Sequence, residues 1–146
     1  MNQVGWMCSV FTLGRISSGQ GLDTNYGSIQ VANVNRQQQL QELTSHLSHL
    51  VEILRLDRAC QWRPNFERCL EQANSLLSSG FTREDHVDLA VSIIHVYSGG
   101  MGSFNDYAPC TYDPETGRYT EIPGTAEFGD FADKVYNAAL SLRVVG

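Results

Sequence analysis

The sequence has no long apolar run and no basic segment near its start. No stretch approaches the ~18–20 apolar residues that a membrane-spanning helix needs. The apolar residues from Val4 to Leu13 are interrupted by glycine, cysteine, serine and threonine, and no basic region precedes them, so a cleaved secretory signal is not expected. We therefore expect a cytoplasmic protein with no membrane partner.

Cysteine is sparse and is not arranged for a disulfide framework or a metal site. Cys8, Cys60, Cys69 and Cys110 lie far apart, and the sequence has no CxxC pair of the kind that zinc sites use. We expect the four thiols to be small buried apolar side chains in a reducing compartment. The sequence predicts no metal and no cofactor.

Basic residues are scarce in the second half of the chain. Residues 1–80 carry six acidic residues and six arginines, whereas residues 81–133 carry ten acidic residues and only Arg83 and Arg118. A protein that binds nucleic acid needs a basic surface facing the phosphates, so DNA or RNA binding is not expected. The acidic segment suits either a solvated face or the binding of a basic protein.

What the sequence does contain is enough apolar material for one domain. Hydrophobic residues make up 42% of the 146 residues, and a chain of this length commonly forms a single core. Residues 1–35 hold five glycines and only two charged residues. We interpret them as an extension that is weakly ordered or contains short strands at 10–13 and 28–34. Residues 36–146 are predicted to form a single helical domain.

Apolar residues spaced three and four positions apart predict four helices in this domain. The first spans about 36–57, the second about 64–78 and the last about 125–143. The third begins after Thr82, a residue type that caps helices, and ends before two glycines. Because the third helix is apolar around most of its circumference, we predict that it is the central helix of the fold.

A short β-hairpin is predicted between the last two helices. The run Asp113-Pro114-Glu115-Thr116-Gly117 is typical of a turn, and Tyr112 and Tyr119 flank it. The predicted fold class is therefore mainly α, with about four helices packed around a central apolar helix and one small β-hairpin.

The least generic segment follows the third helix. It consists of Gly99, Gly100, Met101, Gly102, Ser103, Phe104, Asn105 and Asp106, and is called the motif loop below. One interpretation is a self-bonded turn in which Met101 and Phe104 pack inward, and the other is a polar pocket for a ligand or a partner. The motif loop follows a helix and lacks a Gly-Lys-Ser/Thr sequence, so it is not a phosphate loop.

The segment 94–106 resembles the signature of a small uncharacterised family of bacterial domains, through its Gly-Gly-Met-Gly-Ser-Phe-Asn-Asp core. The resemblance extends over residues 38–143. It implies a helical fold with a short β segment and a closing helix, no assigned activity, and for some members a role as immunity partners of secreted toxins. The run Tyr107-Ala108-Pro109-Cys110 departs from the aliphatic residues expected after the motif.

Glu42, His46 and His49 lie on one stripe of the first helix, away from its leucine face. Such a stripe could begin a transition-metal site, but no fourth ligand is evident. We interpret these three residues as part of an exposed polar face.

A nucleophilic site could be assembled from His95, Asp106 and Cys110, with His95 as the base for the thiol. Closeness in sequence does not establish this geometry, and Cys110 follows a proline in a predicted strand. We interpret His95 as an ordinary histidine and Cys110 as an inert thiol.

Tyrosines and carboxylates cluster on the predicted hairpin and beside it. The candidate partner surface consists of Tyr107, Tyr112, Asp113, Glu115, Tyr119 and Glu121. Aromatic rings supply contact area and carboxylates supply steering, although the same rings would also serve to cover the edge of the core. We predict a non-enzymatic protein-binding domain that presents an acidic surface to a basic protein, as an immunity or accessory factor would.

The alternative function is a small-molecule or metal-binding protein, or an enzyme. It would use a pocket between the motif loop and the last helix, with His95 and Cys110 nearby. In that case Ser103, Asn105 and Asp106 should point into a cavity. A protein-binding surface should instead show exposed tyrosines beside carboxylates and no deep cleft.

Overall fold

The computed structural model describes residues 26–144, with side chains from residue 35 onward. Its helices are α1 (Tyr26–Leu56), α2 (Arg63–Ser79), α3 (Arg83–Tyr97) and α4 (Phe128–Val144). Between α3 and α4 lie a turn of 3₁₀-helix (Phe104–Asp106) and two strands, β1 (Cys110–Asp113) and β2 (Arg118–Glu121). The mainly α fold with a small hairpin is therefore confirmed. None of the helices in this range is both long and apolar enough to cross a bilayer.

The first helix is longer than the sequence predicts. It begins at Tyr26 and not near residue 36, so the segment 28–34 is helical and not a strand. Extending an existing helix needs no new nucleation, and this outweighs a weak local preference for a strand. The strand considered at 10–13 lies outside the described residues. The predicted apolar face of α1 is buried and consists of Leu40, Leu43, Leu47, Leu50, Val51 and Leu54.

The ends of α2 and α3 are set by the residues that the sequence indicates. Pro64 lies in the first turn of α2, and Gly80 follows that helix with a φ of +86°. Thr82 caps α3: its hydroxyl oxygen accepts a hydrogen bond from the Asp85 N–H, and the Asp85 carboxylate accepts one from the Thr82 N–H at 2.7 Å. The hydrogen bonds from the backbone and hydroxyl of Thr82 hold the pKa of Asp85 below its usual value.

The four helices pack in a ring, each against two others, and no helix is surrounded by the other three. Both α1 and α3 pack against α2 and α4. The central position predicted for α3 is therefore not confirmed, and Val91 on this helix is 45% exposed. Leu89, Ile93 and Tyr97 point into the core, while the opposite flank of α3 faces solvent. An apolar circumference by itself does not show that a helix is surrounded.

The hairpin projects from the helices. In the described part of the chain, β1 and β2 pair with each other alone, antiparallel, with Tyr112 opposite Tyr119 and Cys110 opposite Glu121. Almost every residue of the two strands is exposed. A two-stranded sheet of this kind depends on its turn and its cross-strand pairs for stability.

Candidate functional site

The motif loop is attached to the core through Phe104, which is 2% exposed. The centroid of its ring lies 4.7 Å from that of Phe66 on α2 and 5.0 Å from that of Tyr97 on α3. It also lies 5.7 Å from the ring centroid of Phe128 at the start of α4. One side chain of the motif loop therefore joins three helices through aromatic contacts.

The amide and carboxylate at the end of the motif loop bind backbone groups nearby. The Asp106 carboxylate accepts a hydrogen bond from the Gly102 N–H at 2.8 Å, which closes the loop on itself. The Asn105 side-chain amide donates to the Tyr97 carbonyl at 2.6 Å, one of the carbonyls left without a helical partner at the end of α3. These contacts are those of a self-bonded turn.

Met101 does not pack inward, although the self-bonded turn predicted from the sequence places it there. Its side chain is fully exposed. Gly102 has a φ of +85°, a conformation that favours glycine, and this turn leaves Met101 at the tip of the loop. A Cβ atom on Gly99 would lie 3.0 Å from the Cβ of Ser103, so the loop also folds back closely on its own start. Only Phe104 reaches the core.

A contact between distant residues fixes the chain just after the motif loop. The Tyr107 hydroxyl donates a hydrogen bond to the carboxylate of Asp57 at 2.6 Å. The other oxygen of this buried carboxylate accepts from the Ala59 N–H at 2.9 Å. Burial, followed by the hydrogen bond to Asp57, raises the pKa of Tyr107, so its hydroxyl stays protonated as a donor. Tyr107 therefore covers the edge of the core and does not belong to an exposed partner surface.

A groove of about 560 Å³ lies between α2 and α3 and ends at the motif loop. Its walls include Trp62, which precedes α2, then Asn65, Arg68 and Gln72 from α2 and Ser92 and His95 from α3. Its end is formed by residues 98–103. Sequence reasoning missed the α2 wall. The spacing of Asn65, Arg68 and Gln72, three and four positions apart, indicates this wall, because it puts three polar side chains on one stripe of the helix.

The pocket that the sequence placed between the motif loop and the last helix is a second cavity of about 490 Å³. Asn105 lines this cavity together with Asp133 and Tyr136. Ser103 and His95 line the groove between α2 and α3 instead, and Asp106 lines neither cavity. The three polar residues of the loop therefore do not converge on one ligand position.

The nucleophilic arrangement of His95, Asp106 and Cys110 is not assembled. His95 faces the groove, whereas Cys110 is exposed on β1 beside the start of α4. Cys60 and Cys69 are buried as expected, Cys110 is not, and Cys8 lies outside the described residues. Burial raises the pKa of the Cys69 thiol in the wall of the groove, although Arg68 opposes this shift, and the thiol is a poor nucleophile.

The histidine stripe of α1 packs against α4 and holds no metal arrangement. The ring of His49 stacks on Phe131 with 4.9 Å between centroids, and its Nδ1 lies 2.8 Å from the Ser45 carbonyl oxygen. The Nε2 of His46 lies 3.7 Å from the Glu42 carboxylate. Within residues 26–144, no group of three or more His, Cys, Asp or Glu side chains has the geometry of a metal site.

The hairpin carries the exposed part of the predicted partner surface. The rings of Tyr112 and Tyr119 lie 5.2 Å apart and are 55% and 72% exposed. The Asp113 carboxylate is used by the turn, because it accepts hydrogen bonds from the Thr116 hydroxyl and the Glu115 N–H. These two hydrogen bonds lower the pKa of Asp113.

Residues 55–115 match a domain of unknown function (DUF6966). The matched segment contains α2, α3, the motif loop, β1 and both partners of the Asp57–Tyr107 hydrogen bond, and it stops before β2 and α4. Comparison with the curated proteins and with the solved structures gives no match.

Proposed function

We propose that this protein is a non-enzymatic protein-binding domain whose hairpin binds a basic surface of another protein. The observation that supports the proposal is the pair of exposed rings, Tyr112 and Tyr119, side by side on a hairpin that projects from the helices. Exposed tyrosines serve well as binding anchors, since they bury a large area and lose little conformational entropy.

The charge around the two rings favours a basic partner. Side chains alternate between the faces of a strand, so Glu121 lies on the same face as Tyr119, while Asp113 and Arg118 pair on the opposite face. The exposed Glu115 adds a further negative charge at the turn. The tyrosine face therefore combines aromatic area with negative charge and has no basic side chain of its own.

The acidic residues of the segment 81–133 are distributed over α3, the motif loop, the hairpin and α4. Asp85, Asp106 and Asp113 already accept hydrogen bonds from local backbone N–H groups. Glu84 and Asp88 lie near the start of α3, far along that helix from the motif loop. The hydrogen bonds leave the accepting carboxylates charged, and on the hairpin itself Asp113, Glu115 and Glu121 supply negative charge beside the two rings. An immunity or accessory factor that captures a basic enzyme is the class of protein that this surface suits.

Photo-crosslinking tests the proposal in the cells that make the protein. A photoreactive phenylalanine analogue replaces Tyr119 in one variant and Val91, which is 45% exposed on α3, in the control variant. We expect position 119 to capture a basic protein that position 91 does not. An immunity role further requires that the complex inhibit the activity of that protein.

Binding of the purified partner then tests the surface directly. Its association rate should fall as salt rises from ~0.05 M to ~0.5 M, because salt screens exposed charges. The double variant Tyr112→Ser/Tyr119→Ser should weaken binding by about tenfold or more. Equal capture at positions 119 and 91, or an association rate independent of salt, would contradict the proposal.

A further inference from the structure

We propose that the groove between α2, α3 and the motif loop binds a small organic anion that carries a planar apolar group. Its volume of about 560 Å³ falls within the range of ~300–1,000 Å³ that is usual for small-molecule sites. The groove and the face of Tyr112 and Tyr119 share no residue, so this site does not depend on the function proposed for the hairpin.

The charge of the groove is opposite to the charge of the molecule. The protein has a net charge of −6, yet no acidic residue lines the groove, and Arg68 contributes a positive charge to its wall. In the described part of the chain the arginine salt bridges are formed by Arg55 and Arg63 with Glu67, and Arg68 takes part in none. The Arg68 guanidinium can therefore bind a carboxylate or a phosphate through two parallel hydrogen bonds.

Further donors surround Arg68. Asn65, Arg68 and Gln72 occupy one stripe of α2, and His95 faces them from α3. Within residues 35–144 these four side chains make no hydrogen bond to protein groups. The Ser92 hydroxyl, by contrast, already donates to the carbonyl of Asp88. The groove thus offers several donors that the fold does not use.

Trp62 supplies an apolar wall at the end of the groove nearest the motif loop. Its half-buried indole is held edge-on by Phe104, with 6.1 Å between the ring centroids and an angle of 71°. Met101 lines the same end, and its exposed, unbranched side chain can adapt to a ring placed on Trp62. Because Trp62 and Arg68 are six residues apart, their backbones are about 9 Å apart along the helix. The ligand therefore needs a short chain between its ring and its anionic group.

The end wall of the groove is preorganised by the same contacts that fold the motif loop. The hydrogen bond from the Gly102 N–H to Asp106 and that from Asn105 to the Tyr97 carbonyl hold residues 100–103 in place. These residues line the groove, while Asn105 and Asp106 do not. The motif loop thus divides into residues that build the turn and residues that face the ligand.

An NMR titration of the full chain with three probes tests this site. The probes are 3-phenylpropionate, the neutral 3-phenylpropanamide and propionate, which lacks the ring. We expect saturable shifts in the backbone amides of residues 62–72 and 98–103 with 3-phenylpropionate, and binding of the other two at least about tenfold weaker. Arg68→Gln should weaken 3-phenylpropionate binding about tenfold, and Arg83→Gln, at the far end of α3, should leave it unchanged.

Each component of the proposal can fail separately. Equal affinity for 3-phenylpropionate and 3-phenylpropanamide would show that the charge of the ligand does not contribute to binding. Equal affinity for 3-phenylpropionate and propionate would show that the ring does not contribute. No saturation up to ~20 mM, with the folded spectrum retained, would overturn the site. His95→Gln and Met101→Ala change exposed side chains and provide the same test if Arg68→Gln alters the fold.

Discussion

The motif loop and the hairpin follow one another along the chain, yet the fold uses their side chains in opposite ways. Phe104 of the motif loop is 2% exposed among three helices, whereas Tyr119 of the hairpin is 72% exposed. Asn105 and Asp106 bind backbone groups of the loop and of α3, whereas the rings of Tyr112 and Tyr119 lie side by side and stay largely exposed. The conspicuous glycine-rich segment is thus largely structural. Side chains that the fold does not need lie on the hairpin and along the groove.

The largest expected effect is at the aromatic centre of the motif loop. Phe104→Ala should lower the free energy of unfolding by about 3–5 kcal/mol, because it leaves a cavity between three helices. Met101→Ala, three residues earlier at the exposed tip of the loop, should change it by less than about 0.5 kcal/mol. Urea unfolding followed by circular dichroism measures both. A loss below about 1 kcal/mol for Phe104→Ala would show that the loop is not anchored in this way.

The next effect is at the contact between Tyr107 and Asp57. Tyr107→Phe should cost about 1–3 kcal/mol, because it leaves a buried carboxylate without one of its donors. The matched change on the hairpin, Tyr119→Phe, removes only an exposed hydroxyl and should be neutral. Equal unfolding midpoints for the two variants would show that the Tyr107 hydroxyl contributes no more to stability than the exposed hydroxyl of Tyr119.

The same tyrosine should give the protein an alkaline limit. The pKa of Tyr107 is raised in the folded state, so its contribution to stability is complete below about pH 10 and is lost as pH rises above it. The unfolded chain then releases a proton that the folded chain keeps, so the free energy of unfolding falls as the pH rises. Tyr97, whose pKa burial also raises, adds a similar loss. Melting curves above pH 10 should therefore show a shallower decline for Tyr107→Phe than for the unmodified protein.

A smaller effect is expected where the motif loop closes on itself. Asp106→Ala should lower the free energy of unfolding by about 1 kcal/mol. The Gly102 N–H loses its acceptor, but it lies near solvent and can bind water instead. Glu115→Ala, an exposed carboxylate of the hairpin turn, should cost nothing measurable. Thermal melts of the two variants compare a carboxylate that holds the motif loop with one that is free on the hairpin turn, and only the first should lower the melting temperature.

The smallest effect on stability belongs to the pair of exposed rings. Tyr112→Ser/Tyr119→Ser should cost less than about 1 kcal/mol, the usual worth of one cross-strand pair, while it weakens partner binding. Unfolding by urea separates the two consequences. A loss above about 2 kcal/mol would mean that these rings support the hairpin or cover the core, and the contrast with the motif loop would disappear.

Parts of the candidate site could be read from the sequence, and parts could not. The self-bonded interpretation of the motif loop predicted the inward position of Phe104, whereas the sequence left open whether Tyr112 and Tyr119 are exposed or cover the core. The exposure of Met101 depends on the φ of Gly102, which the residue type permits but does not dictate. The groove could not be predicted, because Arg68 and His95 come together only when α2 packs against α3.

By itself, the sequence determined the helices of residues 36–144, the cap at Thr82 and the turn of the hairpin. Each of these depends on residues within a few positions of one another, where spacing, capping and turn preferences act directly. Only the tertiary structure decided the ring of helices, the Asp57–Tyr107 hydrogen bond and the basic groove in an acidic protein. These join groups from distant parts of the chain, and packing in three dimensions, not local preference, sets which of them meet.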